Sequence, residues 1–286
     1  MVVAELQRRG AEMLRRSGLE DAAFDARQLL AHVLHTGSAQ LPLWGDRPVT
    51  EGQQARYLQL ISRRARRYPL QYLLGSWPFY DGEYLVGEGV LIPRPDTERL
   101  CEIAIELAPG LPGYSAGPAI CDLCSGSGCI AVTLQKHIPG SHVTAVEKSP
   151  AAFRYLQKNI ALNGADVQPV LADVLGYEHR CPPCSLITAN PPYITAAEMA
   201  ALQPEVCYEP AMALAAGADG LGFYRAIARR YLPCLLPGGA LILEIGASQG
   251  PAVTEILKNC GYSGVFIARD YAQNDRVAVA RRPAAG

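Results

Sequence analysis

The sequence lacks the features of a membrane protein, a secreted protein or a strongly charged protein. None of its apolar runs approaches the roughly 20 residues needed to span a bilayer, and no charged and apolar leader with a cleavage site opens the 286-residue chain. Its formal net charge is only −1, from 26 Lys and Arg and 27 Asp and Glu. So weak a field attracts polyanions little, which argues against a dedicated nucleic-acid enzyme but not against a local basic patch. We expect a cytoplasmic protein that acts neither on membranes nor directly on nucleic acid.

Two common nucleotide-binding fingerprints are also missing. The sequence has no G-x-x-x-x-G-K-[ST] phosphate loop, and its Gly-rich turn at residues 122–128 departs from the G-x-G-x-x-G dinucleotide pattern. A P-loop enzyme is therefore excluded, and a dinucleotide-dependent enzyme is disfavoured.

The chain has nine cysteines spread along its length, and an odd number cannot all pair in disulfides. We interpret them as reduced thiols used as small core residues. Cys121-x-x-Cys124 and Cys181-x-x-Cys184 have zinc-like spacing, but 57 residues separate the pairs, against roughly 15 to 20 in a compact zinc module. On neighbouring parallel strands, Cys184 would also lie about 20 Å from the strand edge that carries Cys124. We therefore expect no metal site.

Apolar spacing divides the chain into a helical part and a larger catalytic part. The length exceeds what one ordinary domain needs, and residues 1–68 show helical periodicity, which predicts a small bundle. Aromatic and Gly residues alternate around residues 77–82, which predicts a β-hairpin. We expect a helical substrate-recognition domain over 1–71, a hairpin linker over 72–90 and a catalytic domain over 91–286. The apolar positions of the predicted helices are Leu6, Met13, Leu14, Ala26, Leu29, Leu30, Val33, Leu34, Tyr57, Leu58, Leu60 and Ile61.

In the catalytic part, strand and helix patterns alternate, which indicates an α/β fold with a mainly parallel sheet. A first helix is expected over 99–107. The elements that follow are predicted over 119–121, 142–146, 151–162, 167–171, 185–190, 222–236, 240–245, 252–259, 264–268 and 276–280. The segment before the last strand is too short for a crossover helix, so that strand should run antiparallel. Ligands are expected at the carboxyl ends of the parallel strands.

A glycine turn lies between the first strand of this sheet and the next helix. Its sequence is Asp-Leu-Cys-Ser-Gly-Ser-Gly over residues 122–128, and glycines there let the backbone approach a ligand closely. Some 20 residues further on, the β-branched run 143–146 ends in Glu147, where doubly wound sheets place an acid on the ribose hydroxyls. Together the two features predict a nucleoside ligand. Taken singly, each is also typical of an ordinary turn or of a surface carboxylate that ends a strand.

The most informative motif is Asn190-Pro191-Pro192-Tyr193, the acceptor tetrad, which follows the apolar run 185–189. Two consecutive prolines fix two φ angles and remove two N–H donors, so nearby carbonyls can accept hydrogen bonds from a ligand. With the Asn side chain beside them, the motif offers a slot for a planar nitrogen nucleophile. A Pro-rich turn after a strand is the simpler interpretation.

Taken together, the glycine turn, Glu147 and the acceptor tetrad resemble the amino-methylating branch of class I S-adenosylmethionine (AdoMet) dependent methyltransferases. Within that branch the chain resembles the bacterial release factor glutamine N5-methyltransferases over nearly its whole length. The further segments that carry the resemblance are 69–75, 91–98, Glu209-Pro210, 218–221, 269–271 and 274–277. The resemblance implies a Rossmann-like methyltransferase sheet, AdoMet as the methyl donor, no metal, and class I peptide chain release factors as protein substrates.

Site residues follow from the positions that match this family. Those implied to bind the donor are Cys124, Ser125, Gly126, Ser127, Gly128, Glu147, Asp173, Val174 and Asn190. Those implied to be catalytic are Asn190, Pro191 and Tyr193, and those implied to bind the acceptor are Asn190, Pro191, Pro192 and Tyr193. Cys124 departs from the family pattern, which usually has glycine there, and a φ below zero would let the turn accommodate its Cβ.

The chemistry explains why such a tetrad suits glutamine. A glutamine side-chain nitrogen shares its lone pair with the adjacent carbonyl and is a poor nucleophile. If the Asn190 side-chain oxygen and the Pro191 carbonyl each accept one N–H, the nitrogen can pyramidalise and its developing positive charge is stabilised. Tyr193 would pack against the amide plane. No strong general base is assigned, because the product ion is acidic enough to lose its proton to water.

Three other functions remain open on the sequence alone. One is glutamine methylation of a ribosomal protein, and another is amino-methylation of adenine or cytosine, which would need a flipped base and a basic groove. A third is a nucleoside-binding regulator without catalysis.

Several charged residues have a structural interpretation beside a functional one. Asp96 is expected to cap the helix that follows the 92–98 segment, and this segment, with Arg94 and Glu98, is expected to wall the active site. The arginines at 63–67 are interpreted as a solvated face at a helix end, with docking of an anionic partner as the alternative.

Overall fold

A computed structural model describes residues 1–284, which form two compact units. The first unit is helical and comprises Met1–Ser76 together with a short segment, Gln203–Tyr208. The second unit comprises Trp77–Leu202 and the chain from Glu209 onward.

The helices and strands are as follows. The helices are α1 Val3–Arg16, α2 Ala22–Val33, α3 Glu51–Ala65, α4 Leu70–Leu74, α5 Pro95–Leu107, α6 Cys129–His137, α7 Pro150–Leu162, α8 Val174–Tyr177, α9 Ala196–Met199, α10 Gly222–Tyr231 and α11 Gly250–Asn259. The strands are β1 Ser76–Phe79, β2 Gly82–Leu85, β3 Ala119–Leu123, β4 His142–Glu147, β5 Val167–Leu171, β6 Cys184–Ala189, β7 Leu235–Glu244, β8 Ser263–Arg269 and β9 Asp275–Arg281.

Three amphipathic helices, α1, α2 and α3, build the core of the helical unit, as their apolar spacing predicts. Leu6, Leu29 and Ile61 from the three helices are fully buried. The third helix begins with a capping box in which the Thr50 hydroxyl accepts the Gln53 N–H at 3.2 Å. This cap fixes the residue at which the helix begins.

The arginines at the end of α3 are only partly a solvated face, since Arg63 and Arg66 are exposed but Arg64 is not. Arg64 is only 9% exposed, and its guanidinium lies 2.6 Å from Asp25 and 2.9 Å from Glu205. Arg67 also pairs with Glu205, at 3.2 Å. A buried guanidinium requires such partners, so the interpretation of this cluster as a solvated surface is wrong for Arg64. The short segment Gln203–Tyr208 thus contributes a half-buried acid to the helical unit.

The second unit is built on a seven-stranded sheet in the order β5-β4-β3-β6-β7-β9-β8. Strands β3 to β7 pair in parallel, whereas β9 runs antiparallel to both β7 and β8. The mainly parallel sheet, its antiparallel last strand and the two-stranded hairpin β1-β2 are confirmed. Within residues 1–284, no helix is both long and apolar enough to cross a membrane.

Two local predictions in this unit are wrong. The helix predicted over 222–236 ends at Tyr231, and β7 begins at Leu235, because Pro233 has no N–H to continue the helical pattern. Helix α5 begins with Pro95 at its first turn and Arg94 at its N-cap, without a side-chain cap. Asp96 therefore lies inside the helix, where its carboxylate is 3.4 Å from Arg276.

Candidate active site

The carboxyl ends of four central strands bring the predicted site residues together. Leu123 pairs with Val146 of β4 and with Ala189 of β6, and Ala189 also pairs with Leu243 of β7. The residues that follow these partners therefore leave the sheet at one level. They are Cys124, Glu147, Asn190 and Glu244.

A buried carboxylate holds the glycine turn. Asp122 is fully buried, and its two oxygens accept the hydroxyls of Ser125 at 2.5 Å and Thr188 at 2.8 Å. Burial raises the pKa of Asp122 to about 7, against the effect of these two hydrogen bonds. The side chain therefore joins the turn to β6, the strand that carries the acceptor tetrad.

The turn accommodates Cys124 by a left-handed backbone. Its φ is +58°, so the expectation of a negative φ at this position is wrong. A side chain at positive φ is strained, which is why glycine suits the position. Gly126 also has a positive φ, and a Cβ built there would meet no atom within 4 Å, so its backbone borders open space. At Gly128 a Cβ would lie 2.5 Å from Leu156, so this glycine permits close packing of the turn on α7.

Glu147 lies opposite the turn and fixes its geometry. One carboxylate oxygen accepts the Gly126 N–H at 2.8 Å, and the other accepts the Ser149 N–H at 2.6 Å. Each oxygen retains a second lone pair, so the carboxylate can still accept hydrogen bonds from a ligand.

A cavity of about 290 Å³ lies between the turn and the acceptor tetrad. Its lining is mostly apolar with a few polar groups, as is typical of small-molecule sites. The lining residues are Gly89, Leu91, Cys124, Gly126, Glu147, Lys148, Ser149, Ala152, Asp173, Val174, Leu175, Asn190, Pro192, Pro210, Met212, Ala213, Ala215 and Phe223. A smaller adjoining cavity is lined by Ser125, Ser127 and the segment 91–94.

Asp173 lies at the far end of the larger cavity and is already engaged. Its carboxylate lies 2.7 Å from the Lys148 ammonium and caps α8 by accepting the Leu175 N–H at 2.9 Å. The hydrogen bond from Lys148 is the main reason that the pKa of Asp173 is lowered. Beside this pair, Val174 and Leu175 offer an apolar surface for a flat ring.

Within the acceptor tetrad, the two polar side chains point to one buried acid. The Asn190 Nδ2 donates to the Thr97 hydroxyl at 3.3 Å, and Thr97 donates to Glu244 at 2.6 Å. The Tyr193 hydroxyl lies 3.5 Å from the other Glu244 oxygen. Burial raises the pKa of Tyr193 to about 12 and that of Glu244 to about 7.

The backbone of the tetrad is held by Gln249, the residue before α11. Its side-chain amide donates to the Tyr193 carbonyl at 3.1 Å, while its oxygen accepts the Gly246 N–H at 2.9 Å. Gly220 packs against this contact, since a Cβ there would lie 2.6 Å from both Gln249 Nε2 and the Tyr193 carbonyl oxygen.

An ion pair joins the segment 91–98 to the loop that follows the tetrad. Glu209 is buried, accepts the Ile92 N–H at 2.9 Å and pairs with Arg94. Arg94 lines the smaller cavity together with Asn190. Glu98 does not line it and instead accepts the Tyr80 N–H at 2.8 Å in the hairpin. The segment thus walls the cavity through its first half.

Not all predicted site residues border the cavities. Pro192, Glu147, Asp173 and Val174 line the larger one, and Asn190, Cys124 and Gly126 line both. Ser125 and Ser127 line the smaller one. Gly128 and Pro191 line neither, and Tyr193 lines a separate cavity of about 460 Å³ beside Gln249 and Arg276.

Three residues of the site were missed from the sequence. Each of them contacts the tetrad although it lies far from the tetrad in the sequence. They are Thr97, Glu244 and Gln249. Glu244 had a usable signal, because an acid at the carboxyl end of an apolar parallel strand lies where ligands bind. Thr97 and Gln249 had none of their own.

The cysteines are closer together than the sequence suggested. The Cys181 and Cys184 sulfurs lie 3.9 Å apart, and interaction with both raises the pKa of the Cys121 thiol, so the two C-x-x-C motifs meet through Cys121. Cys124 instead lines the site cavities. Among residues 1–284, no group of His, Cys, Asp and Glu side chains has the arrangement of a metal site.

Comparisons with known proteins agree with this architecture. Residues 107–217 match the family described as methyltransferase small domain, and residues 5–75 match the PrmC N-terminal domain. The hMettl16 catalytic domain superposes with a TM-score of 0.53 at 16% identity, covering 83% of both chains. The T. thermophilus 16S rRNA methyltransferase RsmC, solved with AdoMet and guanosine, gives a TM-score of 0.50 at 20% identity over 72% of this chain and 49% of its own. The fold and the glycine turn thus define a Rossmann-like methyltransferase.

Full-length relatives narrow the class to one family. The release factor glutamine methyltransferase of Cereibacter sphaeroides is 39% identical over 100% of both chains. That of Thermodesulfovibrio yellowstonii is 38% identical over 90% of this chain and 92% of its own, and that of Geobacter sulfurreducens is 39% identical over 94% and 92%. The chain belongs to the release factor glutamine methyltransferase family.

Proposed function

We propose that this protein transfers a methyl group from AdoMet to the side-chain amide nitrogen of a glutamine. The acceptor is the glutamine of the Gly-Gly-Gln motif in class I peptide chain release factors. Full-length relatives with this name support the proposal. The observation that carries it is the cavity of about 290 Å³ that is lined both by the glycine turn with Glu147 and by Asn190.

The residues that line the cavity fit AdoMet. Glu147 is 9% exposed and can accept hydrogen bonds from the two ribose hydroxyls. Gly126 borders open space, so a ligand can approach its backbone closely. Val174 and Leu175 would hold the adenine ring, with Asp173 at its edge. The residues predicted from the sequence to bind the donor are therefore proposed to do so. Gly128 would contribute by letting the turn pack closely on Leu156.

The tetrad would prepare the acceptor. When bound, AdoMet supplies an electrophilic methyl carbon on its sulfonium and needs no Lewis acid. Asn190 Oδ1 and the Pro191 carbonyl each accept one N–H of the glutamine amide, which turns the nitrogen lone pair out of conjugation. Tyr193, whose hydroxyl lies 3.5 Å from Glu244, would pack against the plane of the acceptor amide. Positioning of the amide within about 3 to 3.5 Å of the methyl carbon then accounts for most of the catalysis.

The helical unit is proposed to recognise the protein substrate. Its match to the PrmC N-terminal domain over residues 5–75 supports a substrate-recognition domain over 1–71, followed by a linker at 72–90 and the methyltransferase domain at 91–286. A substrate in translation termination would make the cytoplasm the site of action.

A transfer assay with three acceptors tests the proposal. Radiolabelled AdoMet is mixed with the protein and, in parallel, a class I release factor, ribosomal protein and duplex DNA. We expect label on the release factor, lost when its Gly-Gly-Gln glutamine is replaced by alanine. Label on ribosomal protein or DNA alone would overturn the acceptor assignment. Absence of label from all three would overturn the enzymatic function.

A further inference from the structure

A line of hydrogen bonds runs from the acceptor tetrad into the core. Asn190 Nδ2 lies 3.3 Å from the Thr97 hydroxyl oxygen, which lies 2.6 Å from Glu244 Oε2. The other oxygen of Glu244 is 3.5 Å from the Tyr193 hydroxyl. Thr97 and Glu244 are both 2% exposed, so water does not replace either partner. Helix α5 thus links the first and last residues of the tetrad through one acid on β7.

The direction of this line is fixed by what each group can donate. An ionised carboxylate only accepts hydrogen bonds, so the single hydroxyl proton of Thr97 is directed at Glu244. The Thr97 oxygen then faces Asn190 with its lone pairs and can only accept. Asn190 must therefore turn its NH2 group toward Thr97, because the reverse orientation would place two oxygens against each other. Its carboxamide oxygen remains for the acceptor.

We propose that Thr97 and Glu244 are positioning residues that set which end of the Asn190 amide faces the acceptor glutamine. This inference rests on the proposed function, since it assigns the Asn190 oxygen to an acceptor N–H. Thr97 borders the smaller cavity, but both residues are only 2% exposed and act through Asn190. A substrate amide offers N–H donors to this site, so an Asn190 presented the other way round would oppose it with donors of its own.

The orientation of the Asn190 amide also depends on the protonation state of Glu244. Burial raises its pKa to about 7, whereas the Thr97 and Tyr193 hydroxyls and Arg276 favour its ionised form. A protonated Glu244 can itself donate a hydrogen bond to the Thr97 oxygen. The Thr97 hydroxyl proton is then no longer directed at Glu244, and the orientation of the Asn190 amide is no longer fixed. Turnover should therefore be highest above this pKa and fall as the pH is lowered through about 7. The charged and titratable groups that surround Glu244 are Asp96 and Cys101 on α5, Cys129 on α6, Tyr224 on α10, Arg276 on β9, and Tyr193.

The first test replaces the middle of the line. Thr97→Val keeps the shape but removes the hydroxyl, and we expect kcat to fall about ten-fold or more with KM for AdoMet and release factor within about two-fold. Thr97→Ser keeps the hydroxyl and should restore most of the turnover. Thr133→Val is the matched control, because Thr133 is also buried but its hydroxyl lies 3.5 Å from that of Tyr84 in the hairpin, away from the tetrad. Wild-type turnover in Thr97→Val, or equal losses in the Val and Ser variants, would overturn the proposal.

The second test needs no acceptor and so separates this inference from the proposed function. The side-chain amide signals of Asn190 are assigned by NMR in the full chain from their loss in Asn190→Ala. We expect them to shift with a midpoint near pH 7, and the shift to disappear in Glu244→Gln. A titration that persists unchanged in Glu244→Gln would refute the link. If wild-type enzyme labels no release factor but the titration behaves as expected, the proposed acceptor is wrong and the link to Glu244 stands.

Discussion

Asn190 is the first residue after β6 and is followed by two prolines, so its backbone direction is set by a strand before it and by two fixed φ angles after it. Its side chain is the only part left to orient. The amide borders both site cavities and contacts Thr97 behind them. Loss of this amide should therefore affect the reaction more than the binding of AdoMet.

We predict that Asn190→Ala lowers turnover by about 10² or more, the size expected when one transition-state hydrogen-bond partner is removed. Affinity for AdoMet, measured by calorimetry, should change little. Asn163→Ala is a suitable control, since Asn163 uses its amide to hold the hairpin at the Glu83 carbonyl. Near-normal turnover in Asn190→Ala would contradict the role given to its carboxamide.

Glu147 has a different role, because it binds both the turn and, by proposal, the ribose. Glu147→Ala should weaken AdoMet affinity by about 1.5 to 3 kcal/mol, as expected for loss of charge-assisted hydrogen bonds. Calorimetric titration with AdoMet measures this, with Glu255→Ala on the exposed face of α11 as the control. A variant that binds AdoMet normally and only turns over more slowly would exclude this assignment.

The site residues that belong to contiguous motifs could be predicted from the sequence. Those that reach the site through contacts distant in the sequence could not. Glu147 and Asn190 each end a β-branched or apolar run, so their position at the sheet edge follows from local pattern. The bond between Thr97 and Glu244 joins residues 147 positions apart. No local periodicity encodes such a pair. The left-handed Cys124 also escaped prediction, since its φ depends on the hydrogen bonds that hold the whole turn.

Among the elements, the loop after β7 controls the shape of the tetrad. Gln249 ties the Tyr193 carbonyl to Gly246, and its oxygen also lies 3.1 Å from the Tyr224 hydroxyl of α10. Gly220 has a φ of +71° and leaves no space for a side chain at this junction. The segment 218–221, which carried part of the family resemblance, therefore has a steric role at the site.

A pair of glycine variants isolates this steric role. Gly217 and Gly220 both have positive φ, but a Cβ at Gly217 would meet nothing within 4 Å. Both Gly→Ala variants should lose about 1 to 2 kcal/mol of stability through backbone strain. Only Gly220→Ala should also displace the Gln249 contact and lower kcat, by about ten-fold. Equal turnover in the two variants would show that the contact does not matter for the reaction.

Regular elements were predicted well where the pattern was long and uninterrupted. Strand β5 and the C-terminal ends of α5 and α7 agree with their predicted residues, because apolar runs and Pro or Gly boundaries mark them, whereas α5 begins four residues earlier than predicted. The short helices α4 and α8 were missed, since five and four residues give too few turns for a periodicity.

At the scale of the whole molecule, two buried acids make stability depend on pH. Asp122 and Glu244 each have a pKa raised by burial to about 7, against about 4 in an unfolded chain. Between these values the folded protein holds protons that the unfolded chain has released. The contribution of these two acids to the free energy of unfolding should therefore fall as the pH rises from about 5 to 7, by at most on the order of 1 kcal/mol per pH unit for each group.

Chemical denaturation at pH 5, 6, 7 and 8 measures this slope. Asp122→Asn removes one titrating group and should flatten the slope in this window, whatever it does to the absolute stability. Asp270, whose pKa is lowered, titrates below the window and does not obscure it. A slope that is as steep in Asp122→Asn as in the wild type would rule out its contribution.

The helical unit is not formed by the N-terminal residues alone, because Gln203–Tyr208 supplies Glu205 to it. In a chimera that carries the first 76 residues of a relative, the residues at positions 64 and 67 would come from the relative. Their partner Glu205 would still come from this enzyme. The six-residue insert must travel with the graft. Any exchange of specificity between family members is therefore a two-site transplant, with its second junction in the loop that leads away from the tetrad.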